Sequence, residues 1–162
     1  MLFRSPLRLR IEFLNNQRNQ DKYPNDPLAP AAYRADTLFA ITLFANPLGW
    51  FEVSNLPAEF VQEVKPLIAV WKKERAHLHA GKIAPIGDAP DGIVWTGFES
   101  IADNGRYLLL FREINKNATF QLPADQATRV TVLAGRGTAT IDHAQVCITI
   151  PEPLDYLFVR LN

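Results

Sequence analysis

A single cysteine, Cys147, stands among the 162 residues, so no internal disulfide is available to brace the fold. Its setting in Val146-Cys147-Ile148-Thr149-Ile150 reads as a buried strand position, and the thiol as an inert core group. An excess of either charge is missing too. Seventeen Lys plus Arg balance 17 Asp plus Glu with no long run of one sign, which argues against a nucleic-acid groove and a polybasic membrane surface. No nucleic-acid or membrane partner is expected. No apolar run develops in the opening Met1-Leu2-Phe3-Arg4-Ser5-Pro6-Leu7-Arg8-Leu9-Arg10, which charge and proline interrupt, so neither a signal peptide nor a membrane span is read there. A cytoplasmic setting is expected. Internal repeats and low-complexity tracts are absent.

Several chemistries lack their parts. His77 and His79 lie two apart in a helical stretch, hence on different faces, and His143 sits in a turn beside Asp142, so no metal ligand set forms. The glycines between Gly81 and Gly92 lack a Gly-Lys-Ser/Thr ending, which excludes a phosphate loop, and Ser5, Ser54 and Ser100 sit in no nucleophile elbow. No cofactor is expected. Glu12 and Glu52 are the best carboxylate candidates, each on an expected strand followed by a loop. For Glu12 the competing reading is an ion pair with Arg8 or Arg10.

What is present is 48% hydrophobic sequence, enough for one compact domain or two small ones. Alternation predicts a strand over Leu7–Leu14 with Leu7, Leu9, Ile11 and Phe13 on one side. A polar loop with Pro24, Pro27 and Pro30 follows, then a helix from Ala31 to Ala45, apolar on nearly all sides and ended by Asn46-Pro47. Trp50–Val53 reads as a short strand. Pro57 suits the first turn of a long helix whose stripe is Phe60, Val64, Leu67, Ile68, Trp71, Arg75 and Leu78, with Glu59, Glu63, Lys65, Lys72, Lys73 and Glu74 largely opposite and a kink or restart at Pro66. Gly81–Phe98 is the seam, a structured joint whose glycines and prolines stop the helix, break any continuous strand and turn at Gly87 and Asp91-Gly92. Beyond it, strands are predicted over Ile93–Ser100, Tyr107–Glu113, Ala118–Leu122, Arg129–Leu133, Thr138–Asp142, Gln145–Ile150 and Tyr156–Leu161, the pattern of an antiparallel sandwich. The fold class is therefore α+β: a helical segment over 1–80 packed on an antiparallel β-sandwich over 81–162.

Several stretches together resemble the C-terminal part of α-galactosidase-like glycoside hydrolases. They are Arg10-Ile11-Glu12-Phe13-Leu14-Asn15, Leu43-Phe44-Ala45-Asn46-Pro47-Leu48-Gly49-Trp50, the Trp71…Arg75…Leu78…Gly81 helix end, Pro85-Ile86-Gly87…Pro90 with Trp95-Thr96-Gly97-Phe98, and Leu110-Phe111-Arg112-Glu113. The resemblance implies the end of a TIM-type barrel followed by a C-terminal β-domain. It also implies that the family's two catalytic aspartates lie upstream of the matched part, so no catalytic residue carries over. Asn15, Asn16 and Trp50 are candidate sugar-pocket residues, amides for hydroxyls and an indole face for a ring. Trp95 and Phe98 are either a carbohydrate platform or packing against the long helix, with Trp95 expected to meet Trp71 and Leu78. Expected partners are a carbohydrate and either an upstream barrel fragment or a second copy, since half a barrel would leave Leu38, Ile41, Leu43 and Phe44 uncovered. The alternative is a stand-alone β-sandwich that binds carbohydrate or protein.

Overall fold

The computed structural model describes residues 10–17, 20–49, 54 and 56–162. The chain divides into two compact units, Met1–Arg75 and Ala76–Asn162. The fold is α+β and mostly sheet.

In the first unit, β1 (Arg10–Glu12) and β2 (Asn46–Leu48) pair in parallel, with Ile11 opposite Pro47. Parallel neighbours need a crossover. Here it is the proline-spaced loop, a 3₁₀ turn at Pro30–Ala32 and the short α1 (Ala35–Ala40). The expected helix over Ala31–Ala45 is thus only six α-helical residues, and Asn46-Pro47 opens a strand. An all-round apolar run shows burial but not its length as helix. The run is covered: Leu38, Leu43 and Phe44 are buried, and of the four residues expected to be open only Ile41 is exposed. Phe39 meets Phe13 and Trp71 edge-on at 5.1 and 6.4 Å, and Trp71 Nε1 donates to the Leu43 carbonyl at 3.1 Å. Of the strand predicted over Leu7–Leu14, residues 10–12 are strand; the Trp50–Val53 strand lies outside the described residues.

The long helix α2 (Ala58–Ala80) starts directly after Pro57 and runs through Pro66 without a restart. Its buried positions are Phe60, Val64, Leu67, Glu74 and Leu78. Steps of four and three carry the stripe through Glu74 rather than Arg75, whose guanidinium instead lies 5.0 Å over the Trp71 ring.

The second unit is a sandwich of two antiparallel sheets. The larger has the order β3 (Lys82–Gly87), β4 (Trp95–Ala102), β5 (Gly105–Arg112), β10 (Asp155–Leu161) and β7 (Val130–Gly135). The smaller has the order β6 (Thr119–Pro123), β9 (Gln145–Thr149) and β8 (Thr138–Asp142). Leu108, Leu110, Leu157 and Val159 of one sheet meet Leu122, Val146 and Ile148 of the other in the core. The opposite face of the larger sheet carries Tyr107, Leu109, Tyr156 and Phe158, all buried.

The seam is more regular than its composition suggests. β3 is a strand where breakage was expected, because it sits at the sheet edge, where a residue without an N–H is tolerated; Pro85 pairs with Phe98. Gly81 lets the helix end approach β4, since a Cβ there would lie 2.2 Å from Ser100 Oγ, which donates to the Leu78 carbonyl. Turns fall at Gly87 and Gly92, at φ 77° and 92°. The second is fastened by Glu113, whose Oε2 accepts from the amides of Asp91, Gly92 and Val94 at 3.3, 2.7 and 3.3 Å.

Candidate carbohydrate site

Chains that leave the carboxyl ends of parallel strands form the binding edge of α/β folds. Here β1 delivers Asn15, Asn16 and Gln17, while β2 leads toward Pro57 and the first turns of α2. Between them lies a cavity of about 220 Å³ lined by Asn16, Gln17, Pro57, Glu59, Phe60 and Glu63. Asn16, read from the sequence as a sugar contact, is in its wall. Asn15 is not a lining residue; its Oδ1 accepts from the Gln17 amide at 2.9 Å and shapes the turn. Trp50 lies outside the described residues, as does Glu52.

The two carboxylates of the cavity have different duties. Glu63 Oε1 is 2.8 Å from Arg34 Nη2, and its Oε2 accepts from the Ala35 amide at 3.1 Å, so it caps α1 from 28 residues away. Glu59, one helical turn earlier and exposed, has no polar partner among the described residues. Neither was singled out from the sequence. Both sit on the polar flank of α2, which charge pattern alone cannot distinguish from a solvated helix face.

The fold of the chain has a counterpart in an alpha-amylase. Its structure is similar to a crystal structure of alpha-amylase from H. orenii, with a TM-score of 0.54 and 14% sequence identity. The likeness covers 94% of this chain and 40% of that one, so the chain spans less than half the length of its structural neighbour. No family model and no curated protein matches the sequence.

A second cavity, about 250 Å³ and almost wholly apolar, lies on α2 between Phe13, Leu56, Val61 and Ile68, with Lys65 its one charged group among the described residues. The other sequence candidates fall elsewhere. Glu12 closes β1, half-buried. Trp95, expected to pack against the long helix, is in the sandwich core of its own unit: its ring stacks on Phe120 at 5.5 Å and its Nε1 donates to the Asn117 carbonyl at 3.0 Å. Being 5% exposed, it is no platform. Phe98 is half-buried on the opposite face, beside Leu109. Cys147 is half-buried rather than in the core, because Val146 and Ile148 take the inward positions of β9 and alternation turns the thiol outward, 4.0 Å from Gln121 Nε2. His143 Nδ1 lies 2.8 Å from Asp142 Oδ1 in an exposed turn. Among the described residues no group of three His, Cys, Asp or Glu could hold a metal ion, and no helix is long and apolar enough to cross a membrane.

Proposed function

We propose that this chain is the C-terminal portion of an α-galactosidase-like glycoside hydrolase, supplying the end of a barrel and an accessory β-domain, and inactive alone. The observation that carries the reading is a likeness that spans almost all of this chain but 40% of an alpha-amylase. The parallel β1–β2 pair with its helical crossover, followed by an antiparallel sandwich, supports it, as do the stretches that resemble the family. A retaining glycosidase needs two carboxyl groups roughly 5–5.5 Å apart, one of them free to attack. Glu63 is bound to Arg34 and the Ala35 amide, which leaves Glu59 without such a partner. The partners that follow are a carbohydrate and an upstream barrel segment, with self-association when the chain is alone.

Hydrolysis of an aryl α-galactoside by the chain alone and by the chain mixed with the upstream segment tests this reading. No turnover above background is expected from the chain alone, and turnover from the mixture. Activity of the chain alone that disappears in Glu59→Gln or Glu12→Gln would overturn it. The second reading, a stand-alone sandwich that binds carbohydrate or protein, is favoured by the self-contained core between the two sheets of Ala76–Asn162. It gains if the mixture stays inactive.

A further inference from the structure

We infer that the cavity between the chain leaving β1 and the first turns of α2 is a subsite for one neutral sugar ring, with Glu59 as its specificity-determining acceptor. Only the ligand class rests on the proposed function; the geometry does not. Three side chains with open hydrogen-bonding capacity converge there. Asn16, Gln17 and Glu59 have no side-chain polar partner among the described residues, while neighbouring Asn15, Arg34 and Glu63 are all engaged. A carboxylate only accepts, and its two oxygens match the two O–H donors of a vicinal diol; an amide offers both donor and acceptor to the remaining hydroxyls. Pro57 adds C–H surface for the apolar face of a ring.

Size and charge narrow the ligand. At about 220 Å³ the cavity falls below the roughly 300–1,000 Å³ that enclose drug-sized molecules, so it takes one ring and not a chain. No cation lines it. Arg34, the nearby guanidinium, is held by Glu63 at 2.8 Å and lies 3.6 Å from Asp36, so an acidic sugar would face Glu59 and Glu63 with no counter-charge of its own.

The test is a two-dimensional NMR titration of the intact ¹⁵N-labelled chain with methyl α-D-galactopyranoside, methyl α-D-glucopyranoside, glucosamine and glucuronate. At least one neutral glycoside should shift the side-chain amides of Asn16 and Gln17, with glucuronate at least about ten-fold weaker. Glu59→Gln, a change at an exposed position, should weaken the neutral glycoside about ten-fold, narrow the gap to glucuronate and leave the sandwich resonances in place. The proposal is overturned if no neutral glycoside moves these amides, if glucuronate binds as well, or if glucosamine alone binds. Should these shifts appear while the hydrolysis mixture stays inactive, the barrel reading falls and the subsite stands. Restored hydrolysis with Asn16 and Gln17 unmoved would remove the subsite alone.

Discussion

Trp95 shows how one side chain can serve packing and polar satisfaction together. Its ring supplies apolar area to the core against Phe120, and the indole N–H finds the Asn117 carbonyl at 3.0 Å, so nothing polar is left unpaired on burial. Gly97, next inward on the same strand, leaves room for the pairing, since a Cβ there would lie 2.0 Å from the Leu109 carbonyl. Truncating a buried aromatic of this kind costs about 3–5 kcal/mol, a large share of the roughly 5–15 kcal/mol that holds a domain folded. Trp95→Ala should therefore lower the melting temperature severely. Trp95→Phe keeps most of the area but strands the carbonyl, and should lose about 1–3 kcal/mol. A melting temperature unchanged in Trp95→Ala would show that the indole carries none of this packing.

α1 could not be delimited from its own residues. Its N-cap position is Arg34, which makes no side-chain cap bond, and a six-residue helix is far below the length that holds in isolation. The cap comes from Glu63 on α2, a long-range contact that no local pattern announces. Glu63→Ala should remove it at about 1 kcal/mol, and faster hydrogen exchange at Ala35 to Leu38, with α2 amides unaffected, would be the signature. Equal protection in both proteins would mean the cap adds nothing. The sandwich was legible for the opposite reason. Its strands alternate with period two between local turn signals, so Thr138–Asp142 is found where the pattern placed it, and β5, β6 and β10 begin or end within two residues of their predicted bounds. β3 escaped because proline reads as a breaker until its edge position is known, and the inward half of β9 could not be told from Cys147 until register fixed it. At the site, Asn16 was legible as a strand-end amide, but Gln17 and Glu59 acquire meaning only when a loop and the first turn of a helix distant in sequence close one cavity.

For the molecule as a whole, the sandwich edges and the α2 face make opposite demands. β3 carries Pro85 and Lys82 at one edge, and at the other β7 is bulged at Leu133, opposite Phe158 and Val159 of β10, two devices that blunt edge-to-edge strand pairing. Among the described residues the α2 face has no such protection: Val61 is 38% exposed and borders the apolar cavity shared with Phe13, Leu56 and Ile68. Under the proposed function that strip is covered by the upstream barrel segment, and in the isolated chain a second copy is the available cover. Sedimentation velocity over a hundred-fold concentration range should show association of the isolated chain. Val61→Glu should weaken it at least about ten-fold, because a carboxylate buried against aliphatic groups without a partner is strongly disfavoured. Adding the upstream segment should replace the associated species by a one-to-one complex. A chain that stays monomeric throughout, or one whose association ignores Val61→Glu and yields instead to changes along β7, would show that this face of α2 takes no partner.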